Sequence, residues 1–255
     1  MEWRQFYEDK GTHSSCSEPP NSPWRIWRAF RRRRLSHVLD PLPARYSLRS
    51  MLDVGSEEGF LTKRMASAGV QVTSLDLSRN RLLQSRGEGK ASNVAFVQGD
   101  GGRLPFSDRA FDLVVAADII EHIPAYEVAI SECARVTKTC LLISTNLDGL
   151  HRRLARSIGL KALVEREDEK VGHLHIFPHP RFLNTIKTHW GDLALVGQDM
   201  VCTTPPFIAA LSLGGFIRGR VLSRMIDLVN ALPKVSRLCF ANWVVVVGIK
   251  ADAVS

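Results

Sequence analysis

The sequence predicts an α/β fold in which helices flank a mainly parallel sheet. From about residue 50 onward, short apolar runs alternate with stretches of helical periodicity, the pattern of consecutive βαβ units. The first apolar run ends in a turn bracketed by Gly55 and Gly59, which leads into a helix. At 255 residues, the chain is long enough for one core and short for two enzymatic domains. We therefore predict a single domain over residues 24–255.

Seven strands and four helices are predicted from these patterns. The strands lie at residues 50–54, 71–76, 94–98, 111–116, 140–144, 193–200 and 243–250. The helices lie at about 58–68, 78–87, 124–136 and 148–160. Two intervals, at about 147–192 and 203–240, are too long for simple connections. We expect both to form helical lid insertions over a ligand.

The first 39 residues divide into two parts. Residues 1–23 are predicted to be a flexible leader, because the stretch 8–23 is polar and rich in Ser and Pro. From residue 24 to 39 the apolar side chains recur at helical intervals, while Arg28 and Arg31 to Arg34 fall largely on the remaining surface. This pattern predicts an amphipathic helix that precedes the core.

Composition excludes several classes of protein. No apolar run approaches the roughly 18 residues of a membrane-spanning helix, and the first residues lack the layout of a secretory signal. The five cysteines are scattered and never spaced as C-x-x-C, which argues against a disulfide framework or a thiolate zinc site. We expect a soluble, cytoplasmic protein. Its net charge of +8 would attract nucleic acid, anionic lipid or anionic small molecules without choosing among them.

The glycine turn is the first candidate binding feature. Gly55 and Gly59 let a ligand approach the main chain at a helix N-terminus, so a nucleotide-like cofactor could lie there. The spacing lacks the G-x-G-x-x-G of dinucleotide-binding turns, so a pyrophosphate is not the natural ligand. Asp53, beside the turn, could hold an ammonium group directly or through water.

Two further carboxylates follow predicted strands. Asp76 ends the second strand and could accept hydrogen bonds from both hydroxyls of a ribose; alternatively, it caps the helix that begins near Ser78. The two roles are compatible. Asp100 follows the third strand and could accept from an adenine amino group, or it could belong to an ordinary turn.

Four motifs between residues 51 and 146 together resemble class I S-adenosylmethionine-dependent methyltransferases of the small-molecule type. They are, in order, LDVGSEEG, SLDLS, GDGGRLPF and AFDLVVAADIIEHI. The resemblance implies a Rossmann-like sheet of seven strands with the last strand antiparallel. It also implies that the cofactor contacts are Asp53, Gly55, Ser56 and Gly59 at the methionine portion, Asp76 and Leu77 at the ribose, Asp100 and Gly101 at the adenine, and Ala117 at the next edge of the pocket.

One residue departs from the pattern of that family. The family motif D-x-G-x-G-x-G has a glycine where this chain has Glu57. A glutamate there needs a compatible backbone angle and must direct its side chain away from the cofactor, or else meet the cofactor's cationic end. If it does neither, the alternative is a degenerate cofactor-binding protein that acts through its interactions.

Candidate catalytic side chains follow the fourth strand. His122 has a suitable pKa for a general base near neutrality, although methyl transfer depends mainly on positioning and needs a base only when the acceptor must lose a proton. The alternative is that His122 packs and hydrogen-bonds beneath the pocket. Asp118 and Glu121 share this location and this uncertainty of role.

The two long insertions are expected to shape the site for the methyl acceptor. His173 and His175 could contact the acceptor or remain solvated; a metal ion is not expected, because no matching carboxylate or cysteine spacing accompanies them. Residues 203–240 predict amphipathic helices that cap the pocket, with peripheral contact to an anionic membrane as the alternative.

The prediction for the whole chain is therefore an enzyme. We expect it to transfer a methyl group from S-adenosylmethionine to an oxygen or nitrogen of a bulky or partly apolar small metabolite, such as a natural-product or glycolipid intermediate. RNA methylation is the competing enzymatic hypothesis, since Trp24, Trp27 and the arginine run could stack on and neutralise RNA, although such a run can equally be a solvated face.

Overall fold

The computed structural model describes residues 7, 22–87, 91–159, 161–201, 219–231 and 243–251. These residues form a seven-stranded sheet flanked by helices, as predicted. Its strands are β1 (Ser50–Val54), β2 (Gln71–Asp76), β3 (Val94–Gln98), β4 (Phe111–Ala117), β5 (Thr137–Asn146), β6 (Leu193–Val201) and β7 (Trp243–Lys250). The predicted strand cores are all confirmed, and β5 is longer than expected at both ends.

The strand order is β3-β2-β1-β4-β5-β7-β6. The first five strands in this order are parallel, whereas β7 is antiparallel to both β5 and β6. The buried apolar runs of β4, β5 and β7 suit strands covered on both faces. Since parallel strands end at the same edge, the loops after β1, β2, β3, β4 and β5 gather along one side of the sheet.

Nine helices are assigned within the described residues. They are α1 (Pro23–Leu39), α2 (Leu42–Arg45), α3 (Phe60–Ser67), α4 (Arg79–Gly87), α5 (Tyr126–Val136), α6 (Leu150–Ser157), α7 (Lys161–Val171), α8 (His179–His189) and α9 (Gly219–Asn230). The predicted amphipathic helix of residues 24–39 corresponds to α1. Its N-terminus is capped by Ser22, whose Oγ accepts a hydrogen bond of 3.0 Å from the Arg25 amide.

Two apolar clusters cover the two faces of the sheet. On one face, α5 and α8 contribute Ile130, Phe182 and Ile186. On the other face, α1, α3 and α9 pack against the same strands, with Phe30 from α1 and Leu222 from α9 among the buried side chains. The helix that precedes the sheet in the chain is thus part of the core on the second face.

The two predicted lid insertions are described to different extents. In the first, 147–192, α8 packs into the core through Phe182 and Ile186, so only its earlier part, with α6 and α7, remains a predicted lid. In the second, 203–240, the structure describes 219–231; the rest of that prediction lies outside the described residues. Within the described part of the chain, no helix combines the length and apolarity needed to cross a membrane.

The contact between α8 and β7 provides a test of core packing. A Cβ added to Gly248 of β7 would lie 2.6 Å from Cε3 of the buried Trp190 ring at the end of α8. We expect Gly248→Ala to lower the free energy of unfolding by about 1–3 kcal/mol, because the ring must shift in a close-packed core. Urea denaturation measures this change.

Gly197 of β6 is a matched control. A Cβ there meets no atom of the described residues within 4 Å, so Gly197→Ala should change the free energy of unfolding by less than about 0.5 kcal/mol. Equal effects of the two variants would contradict the proposed packing of Trp190 on β7.

Candidate functional site

The glycine turn lies against the end of the neighbouring strand. Gly55 and Gly59 have φ values of +72° and +76°, a region that favours glycine. The amides of Gly55 and Ser56 donate to the Leu75 carbonyl at 2.8 and 3.1 Å. These bonds hold the turn after β1 beside the carboxyl end of β2, where Asp76 follows.

The Asp76 carboxylate is held by two backbone amides. Its Oδ2 accepts from Glu57 N at 2.9 Å and its Oδ1 accepts from Ser78 N at 2.8 Å. The side chain is buried, and burial raises the pKa of Asp76 above its ordinary range. Each carboxylate oxygen retains a lone pair beyond the one used here, so Asp76 can brace the start of α4 and also accept from a ligand.

Glu57 satisfies the two geometric conditions for a non-glycine residue in the turn. Its φ is +48°, in the left-handed region, which costs an L-residue about 1–2 kcal/mol. Its exposed carboxylate forms an ion pair with Arg81 of α4, in which Oε1 accepts a hydrogen bond from Nη1 at 2.9 Å. The substitution of the usual glycine therefore strains the backbone, while the carboxylate is directed to Arg81.

Asp53 and Ser56 point into the protein. The Asp53 Oδ2 accepts a 2.6 Å hydrogen bond from Thr62 of α3, and the side chain is 2% exposed. Burial raises the pKa of Asp53 to about 6. The Ser56 hydroxyl accepts from Ser74 at 2.7 Å, so Ser56 presents backbone rather than its hydroxyl to the outside of the turn.

The segment after β3 forms a turn, which is the structural alternative to a ligand role for Asp100. Asp100 Oδ1 accepts from Gly102 N at 2.8 Å, and the Asp100 carbonyl accepts from Arg103 N at 2.9 Å. A Cβ on Gly101 would lie 3.1 Å from Val54, so this turn packs closely against the end of β1. Nearby, the Leu77 carbonyl accepts a 3.0 Å hydrogen bond from Gln98.

A second group of polar side chains begins where β4 ends at Ala117. Asp118 has a φ of +55°, a strained angle for an aspartate, and its Oδ1 accepts from Ser144 Oγ at 2.9 Å and Trp243 Nε1 at 2.6 Å. A Cβ on Gly55 would lie 2.6 Å from Cγ1 of Ile119. The glycine turn and the segment after β4 are therefore in direct contact.

Arg31 corrects the expectation that the arginine run is largely on the surface. It is 7% exposed, forms an ion pair of 2.5 Å with Asp118, and lies over the rings of Trp27 at 4.3 Å and Trp243 at 4.9 Å. Its burial follows from the packing of α1 on the sheet, which brings this side chain to Asp118 after β4 and to Trp243 at the start of β7. The sequence reasoning missed Arg31 and Trp243; the only available signal was the four-residue spacing of Trp27 and Arg31.

The other arginines of the run also have carboxylate neighbours. Arg33 pairs with Asp227 and Arg34 with Asp199, both at 2.5 Å, whereas Arg32 lies 3.9 Å from Glu58. Beside them, a surface groove of about 630 Å³ runs between α1 and α3 and is lined by Arg25, Arg28, Arg32, Arg33 and Arg64. Much of the positive charge of α1 therefore faces this groove or stabilises the fold.

Glu121, His122 and His173 come together behind Asp118. Glu121 is fully buried and accepts from Asn146 Nδ2 at 2.7 Å and Thr145 Oγ1 at 3.0 Å. The rings of His122 and His173 have centroids 4.9 Å apart. Asn146, at the end of β5, is a further site residue that sequence reasoning missed.

The two histidines of the first insertion have different surroundings. The backbone carbonyl of Glu121 accepts from the amides of Leu174 and His175 at 2.9 and 3.1 Å, which fastens this loop to the sheet edge. His173 faces Asn146, with 3.3 Å between Nε2 and Nδ2, while His175 turns to the Pro124 carbonyl at 3.0 Å. Of this pair, only His173 joins the cluster.

Comparisons with known proteins agree with this geometry. Residues 52–140 match the family described as a methyltransferase domain. The chain is 33% identical over 114 residues to a demethylmenaquinone methyltransferase of Beutenbergia cavernae, covering 45% of this chain and 43% of the relative. It is 34% identical over 130 residues to ajmaline N-methyltransferase of Rauvolfia serpentina, covering 49% and 44%. The chain thus spans less than half the length of these relatives.

A solved structure extends the likeness to almost the whole chain. Magnesium protoporphyrin IX methyltransferase of Synechocystis PCC 6803, with bound SAM, matches with a TM-score of 0.64 at 13% identity and covers 98% of both chains. At this identity the likeness concerns the fold alone.

The buried Asp53 predicts a pH dependence of stability. Because its folded pKa of about 6 lies above the ordinary 3.8, the folded state disfavours the ionised form. The loss of stability caused by ionising Asp53 is absent below about pH 4. It develops as the pH rises and is complete above about pH 6. The free energy of unfolding of Asp53→Asn, minus that of wild type, should therefore increase by about 2–3 kcal/mol from pH 4 to pH 7.

Urea denaturation at unit pH intervals tests this prediction, with Asp112→Asn as the control of opposite sign. Hydrogen bonds from the amides of Arg49 and Ser50 help to lower the pKa of Asp112, so its stabilising charge is lost as pH falls. A difference between wild type and Asp53→Asn that stays constant from pH 4 to pH 7 would contradict the assigned state of Asp53.

Proposed function

We propose that this chain is a class I S-adenosylmethionine-dependent methyltransferase and that it methylates an oxygen or nitrogen of a small metabolite; residues 52–140 match the methyltransferase-domain family. The observation that carries the proposal is Asp76. It ends β2, is braced by the amides of Glu57 and Ser78, and lies beside a glycine turn that is itself fastened to β2. This is where the ribose of a nucleoside cofactor would be recognised.

The residues present fit S-adenosylmethionine. Asp76 has acceptor capacity for ribose hydroxyls, and Asp53 supplies a buried negative charge behind the turn for the ammonium of the methionine portion. Gly55, Ser56 and Gly59 would contact that portion through backbone, and Glu57 is directed to Arg81 rather than into the turn. The outward side chain of Glu57 supports a binding-competent protein over a degenerate one.

The remaining cofactor contacts follow the same sheet edge. Leu77 would lie beside the ribose, Asp100 and Gly101 beside the adenine, and Ala117 at the next edge of the pocket. When bound, the cofactor supplies an electrophilic methyl group on a sulfonium. The contribution of the chain is to position the acceptor in line with that methyl group and to exclude water.

The polar cluster after β4 would receive the acceptor. Asp118, Glu121 and His122 follow β4 directly, and the segment that carries them touches the glycine turn through Ile119. Arg31, which pairs with Asp118, lies over the indole rings of Trp27 and Trp243. These packed rings fix Arg31 and Asp118, and the acceptor that we propose beside them is a bulky, partly apolar small molecule, such as a natural-product or glycolipid intermediate.

His122 is the proposed proton acceptor when the substrate must lose a proton. Its Nδ1 lies 2.9 Å from the Gly172 carbonyl, which can only accept, and 2.7 Å from the Tyr7 hydroxyl, which can donate or accept. The proposal takes the tautomer in which Nδ1 donates to the carbonyl. Nε2 then carries the lone pair that takes a proton from a hydroxyl or amine. Asp118 and Glu121 would hold charge and orient the segment, since both are committed to hydrogen bonds with β5 side chains.

The names of two relatives, demethylmenaquinone methyltransferase and ajmaline N-methyltransferase, refer to small-molecule acceptors, which supports this acceptor class. The ion pairs of Arg31, Arg33 and Arg34 occupy guanidinium groups that RNA binding by the arginine run would need, so an RNA acceptor is not proposed.

The role of Asp76 can be tested by titrating S-adenosylmethionine into the full chain by calorimetry. Asp76→Asn should weaken binding about 10–100-fold, because charge-assisted hydrogen bonds to the ribose contribute about 1.5–3 kcal/mol. The alanine variant should bind at least as weakly.

Asp112→Asn is the matched control for this titration. Asp112 also accepts from two backbone amides, at 3.0 and 3.1 Å, but it lies at the start of β4, on the opposite edge of the sheet. It should lose stability and keep wild-type affinity for the cofactor. Unchanged affinity in Asp76→Asn, or no binding by the wild-type chain at millimolar cofactor, would refute the proposed function.

A further inference from the structure

The Glu121, His122 and His173 cluster has the composition of a metal site. A ligand atom from each side chain lies within 4.8 Å of those of the other two. Two of the residues belong to the short helical turn Ile120–His122 after β4, and the third lies in the loop after α7. The cluster is therefore assembled by tertiary structure, which is why local spacing around His173 and His175 predicted no metal.

Each of the two histidines has its Nδ1 beside an oxygen atom. The Nδ1 of His122 faces the Gly172 carbonyl at 2.9 Å, and the Nδ1 of His173 faces Asp168 Oδ1 at 3.3 Å. The Tyr7 hydroxyl also lies 2.7 Å from the Nδ1 of His122, and the Nε2 of His173 lies 3.3 Å from Asn146 Nδ2, a contact that a bound ion would replace. With the proton on each Nδ1, each Nε2 has the lone pair that an ion needs. Metal-binding histidines are commonly fixed in this way by a carbonyl or carboxylate on the second ring nitrogen.

Asp168 is itself held in place by an ion pair with Arg152 of α6. The contact links the two predicted lid helices α6 and α7 to the orientation of the His173 ring. The Tyr7 hydroxyl, which donates to the same Gly172 carbonyl at 2.6 Å, holds the other side of the cluster. Both imidazole rings are therefore positioned by groups outside the cluster.

Glu121 supplies a buried negative charge for a cation. It is 0% exposed, and each of its carboxylate oxygens accepts one hydrogen bond, from Thr145 or Asn146. The charges of His173 and Arg31 act on it from nearby and favour its ionised form. A buried carboxylate is costly without a countercharge, and each oxygen keeps a lone pair that could bind an ion.

We propose that Glu121, His122 and His173 bind one divalent transition-metal ion of the Zn²⁺ type. Two imidazole nitrogens and one carboxylate oxygen favour such an ion over Mg²⁺ or Ca²⁺, which prefer oxygen ligands. Ligands at about 2.0–2.2 Å from an ion lie about 3–4 Å apart, so the cluster must contract by about 1 Å.

Three protein ligands leave a coordination position open. In the proposed function, which this step rests on, an acceptor oxygen would occupy that position and lose its proton more readily. His122 would then act as a ligand, and the bound ion would take over the role of activating the acceptor. Metal binding itself does not depend on the methyltransferase activity.

The test uses the full chain without an affinity tag, stripped with a chelator and then titrated with ZnCl₂, MnCl₂ or MgCl₂ alone by calorimetry. We expect one equivalent of Zn²⁺ to bind with at least tenfold higher affinity than Mg²⁺. His173→Ala and Glu121→Gln should each weaken Zn²⁺ binding at least tenfold, with folding checked by circular dichroism.

His175→Ala is the matched control. It removes a histidine two positions from His173 whose Nε2 contacts the Pro124 carbonyl, and it should leave Zn²⁺ affinity unchanged. In the wild-type chain, Co²⁺ should give visible absorption bands that are displaced by Zn²⁺, which tests the site without a substitution.

Absence of stoichiometric Zn²⁺ binding and of Co²⁺ bands in the wild-type chain would overturn the proposal. Equal loss of affinity in the His173 and His175 variants would also overturn it. S-adenosylmethionine binding measured on the same metal-free samples separates this failure from a failure of the proposed function, because the cofactor contacts do not include the three ligands.

Discussion

The parallel arrangement of β1 to β5 is the constraint on which the candidate site depends. Parallel strands end at one edge, so residues far apart in the chain, such as Asp76, Asp118 and Asn146, meet there without any local motif joining them. The glycine turn is held at that edge by its bonds to the Leu75 carbonyl. The proposed cofactor contacts and the proposed acceptor contacts are therefore two neighbouring stretches of a single sheet edge.

The Arg31 and Asp118 ion pair connects this edge to the helix that precedes the sheet. Arg31 is buried between two indole rings, and burial lowers its pKa while Asp118 opposes that effect. Asp118 in turn has a strained backbone angle and accepts from Trp243 of β7. The pair thus joins α1, the end of β4 and the start of β7 around one carboxylate, which fixes the position of the segment after β4.

The sequence predicted the sheet well, because strands depend on periodicity and on motifs within short segments. The strands and the position of Asp76 follow from such local signals. The polar cluster after β4 was predicted less completely, because it depends on tertiary contacts. Arg31 was expected at the surface but is buried and paired with Asp118. The loop after α7 places His173 beside Glu121, whereas His175 faces the Pro124 carbonyl.

A crystal structure of the full chain with S-adenosylhomocysteine tests the central claim most directly. The account predicts ribose hydroxyls within hydrogen-bond distance of Asp76 and a sulfur facing the segment from Asp118 to His122. Ligand bound in the arginine-lined groove between α1 and α3, or a sheet edge without ligand at saturating concentration, would contradict it.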